Sequence, residues 1–203
     1  MLKFLWIIIL LAVLVYFIAR RFFIASPTTT LVKATAKNGY KLIDTNGQLI
    51  GRVTKSTMST VGLGILLFVG ILLLGMKFKI IWIALPLSLY LIGQIFVYTN
   101  HVRATKDQRI YFDPENNEVL VDRLKTDALR FNLLRDVTEV TEVRSVQKNK
   151  GTLFGYYKLK VQGDVVVVPY LIEQNNTYYN KLFFERLNAS FKIQLETKLF
   201  PIV

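Results

Sequence analysis

The chain has 203 residues, 52% of them hydrophobic, and 26 Lys and Arg against 14 Asp and Glu give it a net charge of +12. That hydrophobic share exceeds what a soluble domain of this size usually carries, and the length sets a prior of one or two domains. With no cysteine and one histidine, His101, disulfides, thiolate metal sites, cysteine nucleophiles and histidine-rich metal clusters are excluded.

Three apolar runs account for the hydrophobicity. The first, "FLWIIILLAVLVYFIA" over residues 4–19, is of a length that one bilayer crossing requires once its flanks are counted. A cleaved signal peptide competes with that assignment. The run is long for such a peptide, it ends in Arg20 and Arg21, and no small-residue cleavage site follows, so a retained anchor is expected. The second run covers residues 59–75 and the third 80–98, separated only by "MKFK". So short a connection predicts a helical hairpin. The spans contain no Asp, Glu, Lys, Arg or His, which argues against an ion pathway or proton relay. Gln94 is expected either to face its own hairpin or to bond a partner helix. Gly62, Gly64, Gly70 and Gly75 allow close packing without forming a strict GxxxG.

Between the first two runs, residues 28–57 contain Asn38–Gly39 and Asn46–Gly47. Asn-Gly tolerates the positive φ of a type I′ turn, so three short strands at 31–36, 40–44 and 49–54 are predicted as a meander. It is too small to stand alone and must pack on the C-terminal domain or another subunit. Asp44 and Asn46 fall short of a calcium loop, because the other oxygen ligands are missing.

Beyond the hairpin, strands are predicted at 109–112, 118–123, 128–133, 140–146, 156–161 and 165–169, with turns at "DPENN" and Gly163–Asp164. A helix follows over 177–188, capped by Asn176 or Thr177. Val137, Val140, Val143 and Val146 recur every third residue, which fits neither a strand nor a helix. A short turn near Asp136 followed by a bulged strand would let all four enter the core. Glu139 and Glu142 then form a solvent-facing polar edge rather than a catalytic pair. His101 is an interfacial structural residue.

The turn "DVTEV" at residues 136–140 and the run "LFGYYKLKV" at 153–161 match the D-I-x-x-V and L-x-G patterns of one family. With a hairpin of spans and a short basic stretch before them, the chain resembles bacterial membrane proteins that carry a pleckstrin-homology-like (PH-like) domain, over residues 60–190. Two departures stand out. "YFDPENNEV" replaces the family's T-x-x-R, and an extra anchor and meander precede the hairpin. The resemblance implies a small antiparallel β-barrel closed by a C-terminal helix, similar in shape to lipid-binding domains.

The expected architecture is therefore three transmembrane helices plus an α+β domain. Residues 1–22 form an anchor, 23–57 a cytoplasmic β-meander, 58–100 the hairpin and 101–203 the PH-like domain. Basic flanks place the N-terminus outside and the domain in the cytoplasm, at a bacterial inner membrane. Catalytic, metal and cofactor residues are not assigned, and an enzyme is not expected. The first 100 residues hold ten Lys and Arg against one Asp, whereas residues 101–203 hold sixteen against thirteen acids. Juxtamembrane Arg20, Arg21, Lys33, Lys37, Arg52, Lys55, Arg103 and Lys106 are the candidates for contact with anionic lipid headgroups. Nucleic acid is not an expected partner. The expected role is a non-catalytic scaffold or accessory subunit among other integral membrane proteins, with a sensor of anionic lipid as the alternative.

Overall fold

The computed structural model describes residues 9, 12–20, 39–123, 127–146 and 153–203. Strand β1 (Lys41–Ile43) leads at once into a 29-residue helix, α1 (Gly47–Gly75). A 3-10 helix (Lys79–Ala84) and helix α2 (Leu85–Lys106) bring the chain back. Then come β2 (Gln108–Asp113), β3 (Glu118–Arg123), β4 (Leu129–Asn132), β5 (Val137–Ser145), β6 (Gly155–Val161) and β7 (Asp164–Pro169). A four-residue helix α3 (Tyr170–Glu173), helix α4 (Tyr178–Ser190) and strand β8 (Gln194–Lys198) follow.

The hairpin interrupts the β domain. β1 pairs antiparallel with β2, Ile43 opposite Ile110, and the sheet continues through β3 to β4. A second sheet has the order β7-β6-β5-β8, with β8 parallel to β5. Among the described residues no pairing joins the two sheets, so the expected closed antiparallel barrel is instead a pair of open four-stranded sheets. Helix α4 begins as expected, with the Thr177 hydroxyl accepting from Asn180 N. It buries Phe183, Phe184 and Leu187 in the core between the sheets. Phe183 meets Phe112 edge-on at 5.4 Å, and Arg186 donates to Pro114 O and Asn117 Oδ1 beside the Asp113 turn.

The expected meander forms only in its middle. Residues 40–44 contain β1, the strand expected at 31–36 lies outside the described residues, and Leu49 to Thr54 are helical. The second Asn-Gly is the reason. Asn46 has extended backbone angles (φ −107°, ψ 158°) and caps α1, its Oδ1 accepting from Leu49 N at 2.6 Å. An Asn ahead of a long apolar run is as good a helix start as a turn.

Two helices, Gly47–Gly75 and Lys79–Lys106, are long and apolar enough to cross a membrane. Among the described residues that is two candidate spans where three were expected. Of the first run only residues 9 and 12–19 are described. They are helical, and Leu14 and Ile18 pack against Phe68, Leu72 and Ile92 of the hairpin. Two glycines set the hairpin's closeness. A Cβ on Gly64 would lie 2.8 Å from Leu91 Cβ and 2.9 Å from Ile92 N, and one on Gly75 would meet the Trp82 indole. Gly62 and Gly70 face open space. Pro86 sits in the first turn of α2, where a missing N–H costs nothing. Gln94 is buried within the fold with its Nε2 unpartnered.

The turn and the bulge expected for the valine repeat are both present, but the four valines do not all enter the core. A turn over residues 133–136 precedes β5, held by Asn132 Oδ1 accepting from Leu134 N and Arg135 N. A register shift between Val137 and Glu139 is the bulge. It carries Val137 and Val140 to the same core, opposite Val161 and Leu159. Val143, three residues on without a second bulge, must face the other side of the sheet. It sits opposite Tyr156, and both are buried. Val146 is 57% exposed and is not core. A period of three arises because this sheet is covered on both faces.

Candidate interface at the hairpin–domain junction

Three asparagines clasp the junction between β1 and α1. Asn46 Nδ2 donates to Asn175 Oδ1 at 2.8 Å, and Asn175 Nδ2 donates to Asp44 O at 2.7 Å. Asn180 Nδ2 reaches both Asp44 O and Ile172 O, at 2.8 and 2.7 Å. Asn175 and Asn180 are buried, so their bonds replace lost hydration. Thr45 Oγ1 and Asn180 Oδ1 have no partner. Burial raises the Asp44 carboxyl, partly offset by the Arg109 charge. Because the clasp joins the helix start to the α3–α4 corner, the hairpin is fixed to the domain and does not merely hang from it.

A second contact lies at the other leg. Val53, Val97, Tyr98 and Val102 of the hairpin pack with Phe154 and Leu171 of the domain. The Thr54 and Tyr98 hydroxyls lie 2.5 Å apart. His101 is fully buried beside the rings of Phe154 and Tyr156. Its Nε2 is 2.7 Å from Pro201 O and therefore carries the proton, while Nδ1 has no partner. Its role is structural, but it lies at a packed junction and not at a wet surface.

The structure gathers part of the basic set. Arg52 and Lys55 are exposed near the start of α1, and Arg103 and Lys106 near the end of α2. The antiparallel hairpin brings these four to one end. Arg103 is partly neutralised by Asp107 at 3.2 Å. Arg20 is exposed at the end of the helical residues 12–20, and Arg21, Lys33 and Lys37 lie outside the described residues.

A tyrosine–glutamate cluster was not anticipated. Glu142 accepts from the Tyr170 hydroxyl, and the Tyr157 hydroxyl lies 3.2 Å from each Glu173 oxygen. The two rings are 5.2 Å apart. Burial and the neighbouring carboxylates push both phenols well above their ordinary value. Burial also raises Glu173. Such phenols stay protonated near neutrality, and their bonds to Glu142 and Glu173 tie β5 and β6 to α3. The expected pairing of Glu139 with Glu142 on one polar edge does not hold. Glu139 faces out toward Lys160 at 3.7 Å, whereas Glu142 takes the inner face, two residues beyond Val140. That spacing was the available signal. Among the described residues no group of three or more His, Asp or Glu could hold a metal ion.

A family model described as a PH domain matches residues 44–181, running through the hairpin and strands β2 to β7 but not β1 or β8. No curated protein and no solved structure matches the chain.

Proposed function

The chain belongs to the PH-domain family, and from that premise we propose that it is a membrane-anchored scaffold or accessory subunit. It would hold a non-catalytic interaction domain rigidly against the cytoplasmic face of a bacterial inner membrane. The observation that carries this is the insertion of the hairpin between β1 and β2. Ile43 pairs with Ile110, so both ends of the hairpin must lie on one side of any membrane. The clasp and the Val53–Phe154 contact then leave little freedom to tilt. Large apolar side chains on the hairpin face outward, Leu66 at 71% and Ile83 at 82% exposed, which suits lipid far better than water. The basic residues beside β1 and in the last turn of α2 favour the cytoplasmic side for the domain. A rigid mount is of most use to a partner approaching from a fixed direction, and β4 ends its sheet with no further strand beside it among the described residues, whereas the outer edge of β7 is held by Gln108 and Arg123.

The exposed Arg52, Lys55 and Lys106 favour a second reading, attraction of anionic lipid at about 1 kcal/mol per basic residue near the surface. Native purification with mass spectrometry separates the two. Partner proteins at fixed stoichiometry support the scaffold. A homo-oligomer retaining anionic lipid overturns it in favour of the lipid sensor. Protease added outside intact cells should spare residues 104–203, and digestion there would sink the orientation.

A further inference from the structure

Residues 199–203, "LFPIV", follow β8 and return to the hairpin. The Phe200 ring lies 5.4 Å from the ring of Tyr90, and a Cβ on Gly93 would touch it at 3.0 Å. Gly93 is five residues inside the apolar run that ends at Tyr98, roughly 8 Å along the helix axis. Phe200 thus reaches alongside a helix surface otherwise apolar enough to face lipid.

The backbone here is paired inward. Pro201 has no N–H, and its carbonyl accepts from His101 Nε2 at 2.7 Å. Ile202 N donates to Phe200 O at 2.9 Å, and Ile202 O accepts from the Tyr156 hydroxyl at 3.0 Å. Val203 N donates to Asn100 Oδ1 at 2.7 Å, and Val203 O accepts from Asn100 Nδ2 at 3.4 Å. The side chains do the reverse. Leu199 is 61% and Ile202 53% exposed, and Phe200 and Val203 are exposed too. Apolar groups outward with the main-chain polar groups of residues 201–203 and the Phe200 carbonyl bonded within the protein is the arrangement that hydrocarbon demands of irregular backbone. Water imposes no such demand. The exposed Lys192, before the segment, is suited to the headgroup layer, while Lys198 is paired with Glu196 at 3.1 Å.

We propose that residues 199–203 dip into the cytoplasmic leaflet as an interfacial anchor, with bilayer lipid as the partner that covers Leu199, Phe200, Ile202 and Val203. This rests on the membrane placement proposed above. His101 and Asn100 then act as the positioning residues that hold the segment at depth.

The absence of cysteine makes the test direct. Leu199→Cys, Ile202→Cys, Leu66→Cys and Glu185→Cys, each in the full chain, carry a nitroxide label in phosphatidylcholine–phosphatidylglycerol vesicles. Power saturation then compares collision with oxygen, which concentrates in lipid, and with a water-soluble nickel chelate. All four positions are exposed, so the labels leave the core untouched. The expected oxygen preference at 199 and 202 is several-fold above that at 185, and lower than at 66. If 199 and 202 match 185 while 66 reports hydrocarbon, the anchor is refuted and the spanning hairpin stands. If 66 also matches 185, the membrane placement itself falls and takes the anchor with it.

Discussion

Truncating Val140 to Ala probes the facing of β5 most directly. Val140 is 2% exposed and sits opposite Leu159 in the core between the sheets. The change removes two methyl groups, worth about 1.5 kcal/mol in transfer, and the unfilled cavity adds up to about 1 more. A loss near 2 kcal/mol raises the open population about 30-fold. Hydrogen exchange of the full chain in lipid nanodiscs reads this as faster exchange of β5 and β6 amides, where opening and closing outpace chemical exchange. Val146→Ala, at an exposed site, should stay within about twofold. Val143→Ala should accelerate β5 as Val140→Ala does, but should also loosen the packed outer face around Tyr156. An effect of Val140→Ala below twofold, or a Val146→Ala effect equal to it, would refute the assignment of these residues to the two faces.

Gly64→Ala should cost about 1–3 kcal/mol because its Cβ would collide with Leu91 and the Ile92 backbone. Gly62→Ala, facing open space, should be neutral or gain up to about 1 kcal/mol; thermal melts in detergent rank the pair. Asn46→Asp keeps the cap of α1 and loses only the amide donor to Asn175. It should therefore melt above Asn46→Ala, which loses about 1 kcal/mol of capping as well. Glu142→Ala strands the Tyr170 hydroxyl and should cost about 1–3 kcal/mol. Glu139→Ala should stay within about 0.5 kcal/mol in the same denaturant titration.

Local signals were legible in the sequence wherever one face of an element decides its fate. The strands from Gln108 to Pro169, the turn at Asp113 and the Thr177 cap follow from alternation and turn chemistry, and the structure places them within a few residues. The β6–β7 turn falls one residue early, with Gln162 and Gly163 taking the positive φ angles. Asn46–Gly47 was misread because the same dipeptide serves a turn and a helix start. Only the lack of a proline or a further turn pair between Gly47 and the apolar run of residues 59–75 favours the helix. Long-range pairings were not legible. Nothing local says that β1 adds to β2 across the hairpin, that β8 lies parallel to β5, or that His101 meets Pro201. Each depends on which surfaces remain uncovered after the sheets pack.

The interruption of the first sheet also constrains how the protein is made. Ile43 leaves the ribosome long before Ile110, its strand partner 67 residues later. At roughly 5–20 residues per second that gap lasts several seconds. During that time both long apolar helices are synthesised while β1 stays single. The first sheet cannot be completed before they have emerged, because its first strand precedes them and its second follows them. Under the membrane placement proposed above, completion of this sheet would follow insertion of the hairpin, and a chain whose second helix failed to return would leave β1 and the facing edge of β2 unpaired.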